Sequence, residues 1–198
     1  MMQGRTRAEQ EAFVLDAVLA NPLHGEILNR VAGLGLADCA IMAGSIYKAV
    51  WNRLTGHPAD HGINDYDLAY FDASDLSAES EDAIAHQVAG LFDDLGIEVE
   101  ACNQARVHIW FNQQYGTDRP PLVSTEDAVR HFASKTHSVA LALGPDGAPC
   151  LIAPFGYDEL LSLHVKPVAN LAGADAWNRK CAAQKAVWPE LRFDLIEI

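Results

Sequence analysis

Asp65 and Asp67, in the run INDYDLAYF, are the residues of this chain whose type and spacing best suit chemistry. The run reads as a strand through Ile63, Leu68, Tyr70 and Phe71. Side chains at i and i+2 leave the same face of a strand, with Cα atoms about 6–7 Å apart. Both carboxylates therefore point one way, and they repel unless one takes a proton or a cation stands between them. A divalent metal is such a cation. Magnesium takes carboxylate oxygens together with waters and substrate phosphates, and a pair at this spacing suits two ions about 3.5–4 Å apart. The same tripeptide also fits an edge strand that turns both aspartates to solvent.

Upstream, CAIMAG is a short apolar run, and SIYKAVWNRLTG follows with Ile46, Ala49, Val50 and Leu54 at helical spacing. The order is strand, turn, helix. Gly44 permits a tight turn, and Ser45 is a good N-cap, so Ser45 is expected to open the helix. Free N–H groups at a helix start form a seat for phosphate, although plain capping needs no ligand. Joined to a strand with paired carboxylates, the turn supplies a phosphate cradle opposite a metal site. Moving a nucleotide from a triphosphate requires that combination.

A third group of polar residues lies in GIEVEACNQARVHIWFN. On an uninterrupted strand, Glu98, Glu100, Cys102, Gln104, Arg106, His108 and Trp110 share one face, and the apolar alternates share the other. A bulge or turn near Cys102 and Asn103 breaks that alternation. Glu98 and Glu100 are the two carboxylates of that face. Arg106 can clamp phosphate or pair with Glu100 or an aspartate. His108 can serve as general base, metal ligand or hydrogen-bonded structural residue. Gln104 and Trp110 can hold a base or sugar, or satisfy their neighbours.

The 198 residues, with 49% hydrophobic content, predict one domain with a sizeable core and exclude a disordered chain. No apolar run reaches membrane-spanning length, and MMQGRTRAEQEAF has no hydrophobic signal core, so a cytoplasmic protein with no membrane partner is expected. Cys39, Cys102, Cys150 and Cys181 are scattered and read as free thiols. His57 and His61 in HPADH read as exposed loop residues. A net charge of −13 without a Lys/Arg cluster argues against holding a nucleic-acid backbone. The acidic run DASDLSAESED reads as a helix start, followed by an apolar stripe of Ile84, Val88, Leu91, Phe92 and Leu95. Packing helices are predicted over AEQEAFVLDAVLAN and PLHGEILNRVAGLG, and Ser124 is predicted to cap STEDAVRHFA. HSVALALGPDGAPCLIAPFG reads as a β-hairpin, and YDELLSLHV and ADAWNRKCAAQKAVW read as helices. Lys166, Lys180 and Lys185 can reach a triphosphate from these segments or stay solvated.

The Gly-Ser turn and Asp-x-Asp strand resemble the DNA polymerase beta type of nucleotidyltransferase. More closely, AVWNRLTG, NDYDLAYFD, NQARVHIWF, APFGYDELL and VWPELRF are similar to a family of uncharacterised bacterial nucleotidyltransferases, formerly a domain of unknown function. That resemblance runs from about Ala40 to the C-terminus, although Gly44-Ser45 and Asp65 stand farther apart than is usual in the superfamily. It implies an α+β fold: a mixed β-sheet nucleotidyltransferase-like core over about 38–112, flanked by helices and extended over about 121–198 by a β-hairpin and helices, within a single domain. It implies metal-dependent transfer of a nucleoside monophosphate from a nucleoside triphosphate. Asp65, Asp67 and Glu100 are then the catalytic carboxylates that hold Mg2+ or Mn2+, with Glu100 preferred to Glu98 because the family often has an acid there. Gly44, Ser45, Gln104, Arg106 and His108 are the implied substrate contacts. Charge points to a small-molecule or protein acceptor, with no nucleic acid. The alternative is a catalytically inactive nucleotide-binding or partner-binding protein that retains the fold.

Overall fold

Local capping starts the first two helices. In the computed structural model, which describes residues 4–169, 171 and 173–197, Thr6 and Glu9 form a reciprocal capping box before α1 (Arg7–Leu19). Asn21 caps α2 (Pro22–Ala32), whose first position is the proline that a helix start tolerates. Val14, Ala17 and Val18 of α1 and Ile27, Leu28 and Val31 of α2 enter one buried cluster that extends to Leu191.

The sheet is built from β1 (Ala40–Met42), β2 (Asp65–Tyr70), β3 (Glu98–Asn103), β4 (Ala140–Leu143) and β5 (Pro149–Ile152), in the order β3-β2-β1-β4-β5. α3 (Gly44–Thr55) joins β1 to β2, which are antiparallel; α4 (Ala78–Gly90) carries the chain back so that β3 runs parallel to β2. The predicted hairpin is present as β4 and β5. The mixed sheet with its helices confirms the α+β class.

Strand alternation divides the sheet chemically. Ile41, Tyr66, Leu68, Tyr70, Val99, Ala101 and Leu141 enter the main core with α1 to α4. Ala40, Met42, Ala69, Ala140 and Ala142 point the other way and pack with Val129 of α6 (Thr125–Arg130), which Ser124 caps as predicted. By the same period of two, Asp65 and Asp67 share the face of Ala69. The carboxylates thus stand on the more lightly covered side.

Two elements depart from the sequence reading. The strand expected to run from Glu98 to Trp110 ends at Asn103, followed by a 3-10 turn over Gln104–Arg106 and by α5 (Val107–Tyr115). The Asn103 side-chain oxygen accepts from the amides of Ala105 and Asp72, which turns the chain out of the ladder. Gln104, Arg106, His108 and Trp110 therefore do not continue the face of Glu98 and Glu100. The helix expected over YDELLSLHV lasts one turn, α7 (Asp158–Leu161). Leu163 has φ +55, and the Ser162 hydroxyl donates to the Glu159 carbonyl, so the chain leaves the helix to form β6 (His164–Val165), parallel to β7 (Arg192–Phe193).

α8 (Ala174–Val187) is tied back to the loop between α3 and β2. Trp188 donates its indole N–H to Asn52 Oδ1 at 2.7 Å, and Asn52 donates to the carbonyls of Ala59 and His61. His57 and His61 are stacked at 4.2 Å and half-buried, with His61 edge-on to Trp188, rather than exposed. All four cysteines are free thiols. Among the described residues, no helix is long and apolar enough to cross a membrane.

Gly62 has φ +68, and a Cβ there would lie 2.6 Å from Trp188 Cη2. Gly62→Ala combines left-handed strain with overpacking and is expected to cost about 2–5 kcal/mol. Gly56→Ala, at φ +77 with open space around it, should cost about 1–2 kcal/mol in the same urea titration. Equal losses at the two positions would show that the Trp188 contact is slack.

His24 is fully buried, with Nδ1 2.7 Å from the Val18 carbonyl, so that nitrogen donates. Burial lowers its pKa from 6.5 to about 4, against the opposing hydrogen bond. The unfolded state then binds more protons, so the stability from neutral His24 is complete above about pH 6.5 and fades as pH falls toward about 4. An NMR titration of the His24 ring should show this low midpoint. A midpoint near 6.5 would mean that the ring is hydrated.

Candidate active site

Ala43 joins β1 to α3 in an unusual backbone conformation, φ +45 and ψ −100, outside the regions ordinary residues favour. Its N–H donates to the Val139 carbonyl, and its own carbonyl takes the amides of Ile46 and Tyr47. Among the described residues, no side chain caps α3. Gly44 is the first helical residue, and its Cα lies close enough to Asp67 that an added Cβ would be 3.6 Å from Oδ2. The positive end of the α3 dipole thus faces the Asp67 carboxylate. Ser45 does not open the helix as expected. It is the second helical residue, is fully buried, and its hydroxyl has no partner among the described residues.

The register of β2 on β3 pairs Asp67 with Glu100 and Asp65 with Glu98. Asp67 is held above the ordinary aspartate pKa, first by burial and then by the charges of Asp65 and Glu100. Lys48 and Lys180 act in the opposite direction. Lys48 Nζ is 3.7 Å from Asp65 Oδ1, with its side chain only 17% exposed. Lys180 comes from α8; its pKa is lowered by burial and by Lys48, and raised less by Asp67 and Asp65. Behind them, Tyr47 accepts from Gln184 Nε2, and its phenol is pushed upward by burial and by Asp67. His137 packs on Tyr47 and is kept neutral by burial and by Lys180.

A cleft of ≈ 750 Å³ begins at Asp67 and Glu100 and runs along α5. Gln104 lines it and donates its amide to the Cys102 carbonyl. Glu98, Arg106 and His108 are not among its lining residues. Arg106 pairs with Glu81 and donates to the Leu76 carbonyl, and Glu81 also accepts from the Asn103 amide. Arg106 therefore fastens α4 to the end of β3. His108 Nδ1 is buried without a partner among the described residues.

Lys48 escaped the sequence reading. Its signal was its place one helical turn after Ser45, on the side of the phosphate seat. In the sequence Lys180 stands as one of three lysines able to reach a triphosphate or stay solvated, because no local pattern shows that α8 returns toward the aspartates.

Among the described residues, no group of three or more His, Cys, Asp or Glu side chains is arranged to hold a metal ion by itself. The donor set still fits magnesium, a hard cation that uses one or two carboxylates and fills its other positions with waters and substrate phosphates. Beside the larger effect of burial, the charges of Asp65 and Glu100 raise the Asp67 pKa, and a cation between these carboxylates would relieve that repulsion.

No curated protein matches the chain. A solved structure described as "The NMR structure of the protein reveals a CCA-adding enzyme head domain" is similar at 25% identity and a TM-score of 0.71, covering 92% of this chain and 95% of that one. The sequence pattern of a family described as nucleotidyltransferase matches residues 29–193. With that match spanning most of the chain, and the paired aspartates set against the start of α3, the protein belongs to the nucleotidyltransferase family.

Proposed function

We propose that the chain transfers a nucleoside monophosphate from a nucleoside triphosphate to a small-molecule or protein acceptor and releases pyrophosphate. The observation that carries this reading is the opposition of charge about Asp67: carboxylates on β2 and β3, and Lys48 and Lys180 at the start of α3 and on α8. Asp65, Asp67 and Glu100 would hold magnesium, or manganese in its place. When bound, the metal withdraws charge from the phosphoryl oxygens and makes the acceptor hydroxyl easier to deprotonate.

The chain's own groups supply the rest. The amides at the start of α3, with Lys48 and Lys180, seat the outer phosphates and stabilise charge as it builds on pyrophosphate. The acceptor oxygen forms a bond to the α-phosphorus while the bond from that phosphorus to the bridging oxygen of pyrophosphate breaks. The acceptor proton leaves toward the Asp67–Glu100 pair. Because Lys180 comes from the C-terminal part, the whole chain acts as one unit. A polynucleotide is the rival acceptor, suggested by the likeness to a CCA-adding enzyme head domain. The net charge of −13 opposes it.

Asp65→Asn with Asp67→Asn should lower magnesium-dependent pyrophosphate release by at least about 10²-fold, corresponding to several kcal/mol of lost charge stabilisation. The fold should survive with an unchanged or raised melting temperature, because like charges have been removed. A folded double variant with full metal-dependent turnover would refute the assignment. Nucleotide binding without turnover in the native protein would favour the inactive, nucleotide-binding alternative.

Lys48→Met and Lys180→Met should each weaken triphosphate binding by about 10–100-fold, the size of a lost charged hydrogen bond, and weaken monophosphate binding much less. Calorimetry with both nucleotides checks this. Equal weakening would place the lysines at the α-phosphate instead of the leaving group.

A further inference from the structure

Large aromatic side chains are normally covered, yet Trp110 is 42% exposed and Tyr115 58% exposed on α5. Both line the cleft that starts at Asp67 and Glu100. Phe111 lies between them in sequence, with its ring 5.8 Å from that of Trp110 and 4.6 Å from that of Tyr115. The Arg119 guanidinium covers Phe111 at 4.1 Å. This lip is fixed. Asn112 Oδ1 accepts from the Thr117 hydroxyl and the Arg119 amide, while Asn112 Nδ2 donates to the Arg119 carbonyl at 2.8 Å. A volume of ≈ 750 Å³ lies within the range of small-molecule sites.

The direction of transfer decides what the cleft receives. In-line displacement puts the entering oxygen and the leaving pyrophosphate on opposite sides of the α-phosphorus. The lysines mark the leaving side. Lys48, Lys180 and Asp65 do not line the cleft, whereas Asp67 and Glu100 do. α8 shows the same polarity: Ala176 borders the cleft, and Lys180, one turn later on the same helix face, is near enough for its charge to act on Asp67 and Asp65. The cleft therefore opens on the side from which the acceptor must approach.

Resting on the transferase reading, we infer that the acceptor is a small uncharged or cationic molecule with a flat ring system and a hydroxyl group. Its ring packs against Trp110 and Tyr115, and its hydroxyl is presented at Asp67 and Glu100. The walls are apolar and the inner end is anionic. Arg119 is stacked on Phe111, and His131 is the other basic residue of the lining, so a chain of phosphates has little to hold it. In the transfer, the ring compound's oxygen bonds to the α-phosphorus, its proton leaves to the carboxylate end, and pyrophosphate departs on the lysine side. The products are the nucleotidylated ring alcohol and pyrophosphate.

Trp110 reports on the cleft, because Trp51, Trp177 and Trp188 are buried. Fluorescence of the full chain is titrated, without nucleotide, with neutral ring alcohols, cationic ring alcohols, ring carboxylates of the same size, a tyrosine-containing peptide and single-stranded RNA. Trp110→Phe, checked for folding by circular dichroism, serves as the signal control. The expected result is a saturable change, salt-insensitive with the neutral ring alcohols and weakened by salt with the cationic ones, at least about tenfold tighter than with the carboxylates and absent in Trp110→Phe. No saturable change, or tighter binding of RNA or peptide, overturns the assignment. So does a change produced by the nucleoside triphosphate itself in competition with the ring alcohols, which makes the cleft the base seat. The two readings fail separately. Ring alcohols that bind but never acquire labelled nucleotide sink the transferase reading alone, whereas nucleotide transfer to a compound that leaves Trp110 unchanged sinks the cleft assignment alone.

Discussion

The parallel pairing of β2 with β3 places Asp67 beside Glu100 and Asp65 beside Glu98, concentrating negative charge on one face of the sheet. The opposite face is filled by the main core, so the carboxylates cannot turn away from one another without giving up Tyr66, Leu68, Val99 and Ala101. A one-residue slip would bury the acids and expose the core residues. The hydrophobic pattern thus fixes an electrostatic problem in place, and other parts of the chain answer it. The start of α3 faces Asp67, Lys48 approaches Asp65, and Lys180 is supplied by α8.

This last contribution depends on packing far from the carboxylates. Trp188 follows α8 and is held by Asn52 of α3, while Asn52 also gathers the loop that leads to β2. One amide therefore connects the helix that opens at Asp67, the strand that carries Asp67 and the helix that carries Lys180. Asn52 is completely buried, and its partners use both ends of its side chain. An apolar residue in its place would leave the Trp188 indole N–H and two backbone carbonyls without this partner, a cost greater than that of a single lost hydrogen bond.

Asp65 and Asp67 were legible because a period of two needs only local sequence, and the apolar residues of β2 and of the first two helices were legible for a similar reason. The end of β3 was not. Val107, Ile109 and Phe111 continue the strand alternation on paper, but Asn103 diverts the backbone through side-chain hydrogen bonds whose partners include Asp72. Once α5 replaces the strand, Arg106 goes to Glu81 and the aromatic residues turn into the cleft. Lys180 was hidden for another reason: its meaning depends on a return of the chain that a local pattern does not encode. Ser45 fits a capping pattern by type, but Ala43 takes the special conformation and moves the start of the helix forward.

Strain at Ala43 and charge at Asp67 are two parts of one arrangement. The positive φ of Ala43 turns the chain directly from the sheet into α3, and Gly44 leaves no side chain between the helix start and the carboxylate. Together they let a sheet face of anions and a helix end of positive dipole share one small space. Such an arrangement attracts a ligand that carries both signs, as a metal-bound triphosphate does, more strongly than it attracts either a free cation or a free anion. Among the described residues, the basic side chains lining the cleft along α5 are Arg119, stacked on Phe111, and His131, and its aromatic walls favour a different chemistry from that at the helix start. On the proposed transferase reading, charge would separate the two substrates before shape is considered: a triphosphate where lysines and helix amides meet the aspartates, and an acceptor with little negative charge beyond Glu100.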